Sequence, residues 1–456
     1  MTAPPAARGL DGYRSRSFDE AVAPDGSIRP FARPALEAVL AHDLPTLGEG
    51  VREEVERMGI RFASLDGDDT WHVDPVPRVI PADEWAELED GLAQRVRALN
   101  AFVADVYAER RIVAEGVVPA RAIDSAEGLE PGMRGLRVPG DVWIGVAGLD
   151  LVRDDAGRWL VLEDNVRTPS GVAYWAAARD ATLGWLAPPA DALPRPLDRI
   201  APALRAVFGP GALAVLTDGP GNAAHWEHAW LAAGLDAPLV QLGNLEVRDG
   251  RLWHGATALA ALYRRTDQDR LDTAAGRLLQ PVLDAGTLKL VNCFGTGVAD
   301  DKLAHAYVPD MIRFYLDEEP LLDQVETFDL GDPGTLERAL DVFGELVVKD
   351  RGSYGGVGVV VCPHAAAGDV DGLRARVREA PAQYIAQRMI ALSTHPTQVG
   401  DRLEPRHVDL RPFVLMADAD RAEVLPGGLT RVALGAGALV VNSTQNGGAK
   451  DTWVLP

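Results

Sequence analysis

The sequence predicts a mixed α/β (α+β) fold, and three stretches predict it. Residues 84–116, "EWAELEDGLAQRVRALNAFVADVYAERRIVAEG", repeat apolar side chains every three or four positions, the period of a helix with one buried face. Residues 212–242, "ALAVLTDGPGNAAHWEHAWLAAGLDAPLVQL", run strand, Gly-rich turn, helix, strand, the rhythm of a parallel α/β unit. The last third carries short apolar segments with polar tips, "ELVVKD", "YIAQRMI" and "HVDLRPFVLMAD", which read as strands whose ends converge on something charged.

Taken in order, the chain to about residue 125 is helix-rich scaffold. From 141 to 171 the pattern changes to strands, "VWIGVAGLDLVRD" and "RWLVLEDN", joined through "DAG". The Ala/Pro-rich "GWLAPPADALPRPLDRIAP" (184–202) is the best linker, because its prolines neither continue a helix nor join a central strand. A boundary there gives three segments: 1–195, helix-rich with the first strands; 196–290, a small α/β lobe; and 291–456, the remaining strands and loops.

With 456 residues, 47% of them hydrophobic, the chain can build two or three ordinary cores. No run approaches the roughly 18 apolar residues of a membrane span, and "MTAPPAARGL" lacks the order of a secretory signal, so a cytoplasmic location is expected. A formal net charge of -22 opposes nucleic-acid binding, which needs basic patches; it suits a cationic substrate or simply an acidic enzyme. Two cysteines, Cys293 and Cys362, exclude a disulfide framework and read as packing residues. "HWEHAW" lacks the H-E-x-x-H spacing, so His225 and His228 read as surface or interface residues rather than metal ligands. No G-x-S-x-G elbow is present.

Two regions carry chemistry. If "GLDLVRD" and "RWLVLEDN" form a hairpin turning at Asp155 and Ala156, Asp150 faces Val161, and alternation puts Asp150, Glu163 and Asn165 on one face. Three oxygen donors together suit magnesium; the competing reading is solvated acids at a strand end, and a one-residue slip would turn Asp150 away. In "VVKDRGSYGGVGVVV" (347–361) an apolar strand delivers Lys349 to a loop whose Gly352, Gly355, Gly356 and Gly358 let backbone N–H groups approach phosphate. It is not a P-loop, and a tight hairpin would also use glycine. Gln387 in "YIAQRMI" reads either as part of a hinge offering groups to an adenine edge or as a plain core strand residue.

With these motifs in this order, the chain resembles the circularly permuted ATP-grasp family, the group related to the synthetase domain of glutathionylspermidine synthase. The acids of "D150-L-V-R" and "E163-D-N165-V-R167-T-P-S-G" precede the lysines and the Gly-rich loop, the reverse of the usual order. The resemblance runs from "GYRSRSFDEAVAPDGSIRPFARP" to "NGGAKDTWVL". It implies ATP and Mg2+ as cofactors, with Asp150, Glu163 and Asn165 as magnesium ligands. Lys349 and Lys302, in "GTGVADDK", would contact phosphate beneath a loop that includes Gly352, Ser353, Gly355, Gly356 and Gly358, and Gln387 would mark the adenine hinge. It further implies that Arg411, Arg431 and Asn442 stand near the transferred phosphate and acyl group, with Arg167 joining them; each arginine is otherwise an ordinary ion-pairing residue. Two positions depart from the pattern. Asp350 stands where proline usually follows the lysine, and Gly148 where polyamine-conjugating relatives carry arginine.

The reaction so implied is ATP-dependent amide formation between a small-molecule or peptide carboxylate and an amine, through an acyl phosphate, with ADP and phosphate released. An ATP-dependent phosphotransferase would use the same groups, and a non-catalytic ATP-binding partner is the third reading. Neither nucleic acid nor membrane is an expected partner, and the resemblance allows a homodimer.

Overall fold

Side-chain alternation on one strand, Val146–Arg153, sets up the architecture. Ala147, Leu149 and Leu151 point into one hydrophobic core and Val146 into a second, so the sheet is sandwiched. The computed structural model describes residues 10–60, 71–352, 358–435, 437–438 and 447–455. Among these, a ten-stranded mixed sheet runs Val73–Pro81, Gly447–Leu455, Leu429–Ala433, Arg402–Arg411, Val146–Arg153, Phe413–Met416, Ala422–Val424, with Trp159–Asn165, Asp323–Gln324 and Thr394–Val399 branching from it. Strands from before residue 195 and after 291 therefore share one sheet.

On the first face lies the helix Ala82–Val106, whose Trp85, Leu88, Leu92, Leu99 and Phe102 recur at helical spacing and are buried. The second face is covered by Arg33–Leu40, Leu44–Arg57 and Val172–Leu183, with Trp175 and Trp453 fully buried between them. Truncating either indole to alanine costs about 3–5 kcal/mol.

The strand Val73–Pro81 falls in the region expected to be helical. Its Pro75 and Pro77 argue against a strand, yet they sit where the parallel ladder to Gly447–Leu455 skips between Asp74 and Arg78, and the strand lies at the sheet's edge. Prolines that donate no hydrogen bond are tolerated in that position.

A four-stranded parallel sheet, ordered Lys289–Val291, Ala261–Arg265, Leu213–Thr217, Leu239–Val240, is built from the middle of the chain. The helix His225–Gly234 packs on it, and this corrects the reading of His228 as a surface residue. It is buried against Thr217 Oγ1 at 2.9 Å, and burial pushes its imidazole down to about 2. The third unit is an antiparallel sheet, Thr327–Asp329, Tyr384–Arg388, Leu346–Asp350, Val359–Val361, which has its own core with Phe328, Phe343, Leu346, Leu373 and Val377. The stretch between Leu183 and Ile200 holds only the short 3-10 turn Ala190–Ala192.

Candidate active site

The hairpin of Val146–Arg153 and Trp159–Asn165 forms, with a different register from the simple one. Asp150 faces Glu163, not Val161, because the ladder shifts between Asp150 and Leu151, and Leu162 is left as a bulge. The turn is tightened by Asp154 Oδ1, which accepts from Ala156 N and Arg158 N. The bulge puts both Leu162 and Glu163 on the side of a cavity of about 560 Å³, with Asp150 and Asn165 beside them. Its size is that of a cofactor or substrate pocket.

Asp164, between the two, points the other way. It accepts a two-bond ion pair from Arg95 (2.6 and 2.7 Å) and lies 2.7 Å from His305 Nδ1. Burial raises the Asp164 carboxyl, but Arg95 and His305 outweigh it and hold it well below the ordinary range. These partners anchor the strand that presents Glu163 and Asn165.

The two lysines line the same cavity. Lys349 is the penultimate residue of the strand Leu346–Asp350, and Lys302 follows the short helix Gly297–Asp300. Burial holds the Lys349 ammonium below the ordinary lysine value and the charge of Lys302 adds to this, while Glu163 opposes both. Lys302 Nζ donates to Arg351 O at 3.5 Å. The departure at Asp350 has a structural use: Oδ1 accepts from Gly352 N at 2.9 Å, and Asp350 N donates to Gly358 O at 3.3 Å, closing the base of the Gly-rich loop. Gly358, at φ +70°, adopts the left-handed conformation that glycine permits. Ser353, Gly355, Gly356 and Asn442 lie outside the described residues.

Gln387 is both a buried strand residue and a cavity residue. Its Nε2 donates to Thr327 Oγ1 (3.0 Å) and Leu162 O (3.3 Å), while Oε1 has no partner among the described residues. The arginines are ion-paired. Arg411 grips Asp150 through two bonds (2.6 and 2.8 Å) and donates to Ser170 O. Arg431 pairs with Asp409 (2.6 Å) and reaches Asp150 at 2.9 Å. Burial raises the Asp150 carboxyl, but Arg411 and Arg431 more than offset it and hold it at about 2. Arg167 donates to Asp300 and, at 3.3 Å, to Asp269.

The departure at Gly148 also has a reason. A Cβ there would lie 2.9 Å from Pro169 Cβ and 3.3 Å from Arg411 Cδ, so Arg411 occupies the room that a side chain at 148 would need. Lys450 is structural, sealed beneath the sheet on Asp74, Val76 O and Pro396 O.

The donor set fits a magnesium-nucleotide. Among the described residues the Glu163 carboxylate has no hydrogen bond or ion pair, Asn165 Nδ2 is buried without a partner, and no cluster of three His, Cys, Asp or Glu side chains forms a metal site. Glu163 and Asn165 could hold a hard cation that keeps water and phosphate oxygens among its ligands, and Asp150 would join them only by sharing oxygens that Arg411 and Arg431 already engage. Sequence reasoning missed Arg264, Asp269 and Asp301, which line the same cavity from the middle of the chain. No local motif marks them; only the parallel sheet and the turn before Lys302 bring them in.

The sequence profile described as circularly permuted ATP-grasp type 2 matches residues 77–433. This chain belongs to that family. Membership places it in the ATP-grasp ligase class, and that class implies ATP use. A Frankia casuarinae protein provisionally named glutamate-cysteine ligase 2-2 is 41% identical, covering 98% of this chain and 55% of that protein. A Frankia alni relative of similar name is 42% identical, with 98% and 54% covered, so the chain spans about half the length of these relatives. The uncharacterised Synechocystis protein sll0335 is 39% identical over 98% of both chains. Among solved structures, a glutathione synthetase-like effector from Globodera pallida aligns with a TM-score of 0.60 at 11% identity, covering 90% of this chain and 97% of that one, a likeness of fold. No helix among the described residues is long and apolar enough to cross a membrane.

Proposed function

We propose that the protein joins a carboxylate to an amine in an amide bond, using ATP, through an acyl phosphate. The observation that carries this reading is that Asp150, Glu163, Asn165, Lys302 and Lys349 line one cavity. Magnesium held at the first three would supply charge neutralisation on the phosphates. Lys302 and Lys349 face the same phosphates and balance charge that shifts towards the leaving ADP.

In this reading a carboxylate oxygen attacks the terminal phosphorus of ATP and the bond to ADP breaks. The amine nitrogen then attacks the acyl carbon, the carbon–oxygen bond to phosphate breaks, and the nitrogen gives up a proton. No side-chain nucleophile is needed. Arg411 and Arg431, held by Asp150 and Asp409, would stabilise the oxyanion as fixed guanidinium groups. Relatives named for glutamate-cysteine ligation make an amino-acid carboxylate and an amino-acid amine the first pair to try.

The test is ADP release with carboxylates and amines supplied singly and together. A ligase releases ADP in proportion to amide formed and needs both substrates; release with one substrate and transfer of phosphate to it would instead make the protein a phosphotransferase.

A further inference from the structure

Buried arginines in this protein come with carboxylates. Arg78 is paired with Glu20, Arg95 with Asp164 and Arg179 with Asp451. Arg264 breaks the pattern. It is fully buried, yet neither Nη1 nor Nη2 has a hydrogen-bond partner among the described residues. Its only anchors there are Nε, which donates to Asn292 O at 3.2 Å, and the Phe294 ring, 5.2 Å away. An uncompensated buried charge costs several kcal/mol, so a guanidinium with a purely structural role would be expected to have acquired a partner.

Its position explains the exception. Arg264 is the penultimate residue of the parallel-sheet strand Ala261–Arg265, beside Leu216 in register and near the strand's carboxyl end, and it lines the cavity. Ligands of open α/β sheets gather at such carboxyl ends. Asp269, which lines the same cavity, is the largest opposing charge acting on it. That carboxylate accepts one bond, from Arg167 Nη1, and its Oδ1 has none among the described residues. The cavity thus offers a guanidinium with two unbonded nitrogens and, within electrostatic reach of it, a partly exposed carboxylate with one oxygen open, both on different elements from the two lysines.

We propose that Arg264 and Asp269 form the head-group subsite for an L-amino-acid substrate, Arg264 taking its α-carboxylate and Asp269 its α-ammonium. This rests on the ligase reading for which substrate it serves, and it assigns the amino-acid class to one of the two partners. The carboxylate that binds Arg264 is a spectator, while the reacting group faces Lys302 and Lys349.

The test is calorimetric titration of the common L-amino acids and their α-carboxamides into the protein holding magnesium and a non-hydrolysable ATP analogue. Wild type, Arg264→Met and Arg264→Lys are compared, with thermal unfolding measured on each without ligand. At least one free amino acid is expected to bind wild type, and to bind its carboxamide form and the Arg264→Met variant about 100-fold more weakly, the loss of a two-bond charged contact. Arg264→Met is expected to raise Tm, because it removes an unpaired buried charge; Arg264→Lys keeps part of the binding. Absence of amino-acid binding to wild type, equal binding by Arg264→Met, or a lowered Tm in that variant would overturn the proposal. Arg264-dependent binding with no ADP release for any amine would instead sink the ligase reading and leave the subsite standing.

Discussion

Asp301 and Arg351 hold each other through two hydrogen bonds, 3.1 and 3.0 Å, and each is next to or near a lysine of the site. Asp301 precedes Lys302, and Arg351 follows Lys349 by two residues. Arg351 also donates to Ser125 Oγ, Ala382 O and Ala122 O, so the antiparallel sheet is fastened to the helical region at the same point. One ion pair therefore fixes the spacing of the two lysines.

Arg351→Ala is expected to weaken Mg-ATP binding about tenfold, and Asp301→Ala to do the same, with the double variant no worse than either. Calorimetric titration of the four proteins checks this; losses that add in the double variant would show that the pair does not act as a unit.

Glu163→Gln and Lys349→Ala are each expected to reduce ATP turnover by at least about 100-fold with little change in Tm, since Glu163 makes no ion pair that the fold depends on. ADP release and thermal unfolding are the two measurements, and near-wild-type turnover in either variant would remove that residue from the site.

Asp164→Ala is expected to cost about 3–5 kcal/mol, because Arg95 would be left buried and unpaired. Urea unfolding measures it. Turnover is expected to fall as well, since the strand carrying Glu163 and Asn165 loses its anchor.

Glu20 gives the pH dependence. Burial raises its carboxyl, but Arg78 and Arg153 outweigh this and hold it at about 2, against 4.5 in the unfolded chain. A depressed carboxyl stabilises the fold above its unfolded value, and that contribution, on the order of 3 kcal/mol, is lost as pH falls from about 4.5 towards 2. Tm measured across that range should fall steeply in wild type and less steeply in Glu20→Gln, whose Tm starts lower.

How much of this was legible in the sequence follows from the range of the interactions. Asp150, Glu163 and Asn165 are brought together by one hairpin, and their common face could be read from spacing two; the bulge at Leu162 could not, because it depends on how the strand meets its neighbours. Lys349 was legible because an apolar strand carries it into glycines. The strand Val73–Pro81 was not, since its prolines speak against pairing until a partner some 370 residues away supplies an edge. Arg264 and Asp301 have no local signature at all, and only tertiary structure reveals that one has two nitrogens without a hydrogen bond among the described residues while the other has found Arg351.

The pairing of Val73–Pro81 with Gly447–Leu455 has a consequence for how the protein is made. The later strand is inserted between two others, so during synthesis the earlier one waits for a partner some 370 residues further on. A chain lacking the later strand would leave one margin of Leu429–Ala433, which carries Arg431, unpaired and open to strands of neighbouring molecules. A stop codon a few residues before 447 should therefore yield aggregate rather than a weakened enzyme.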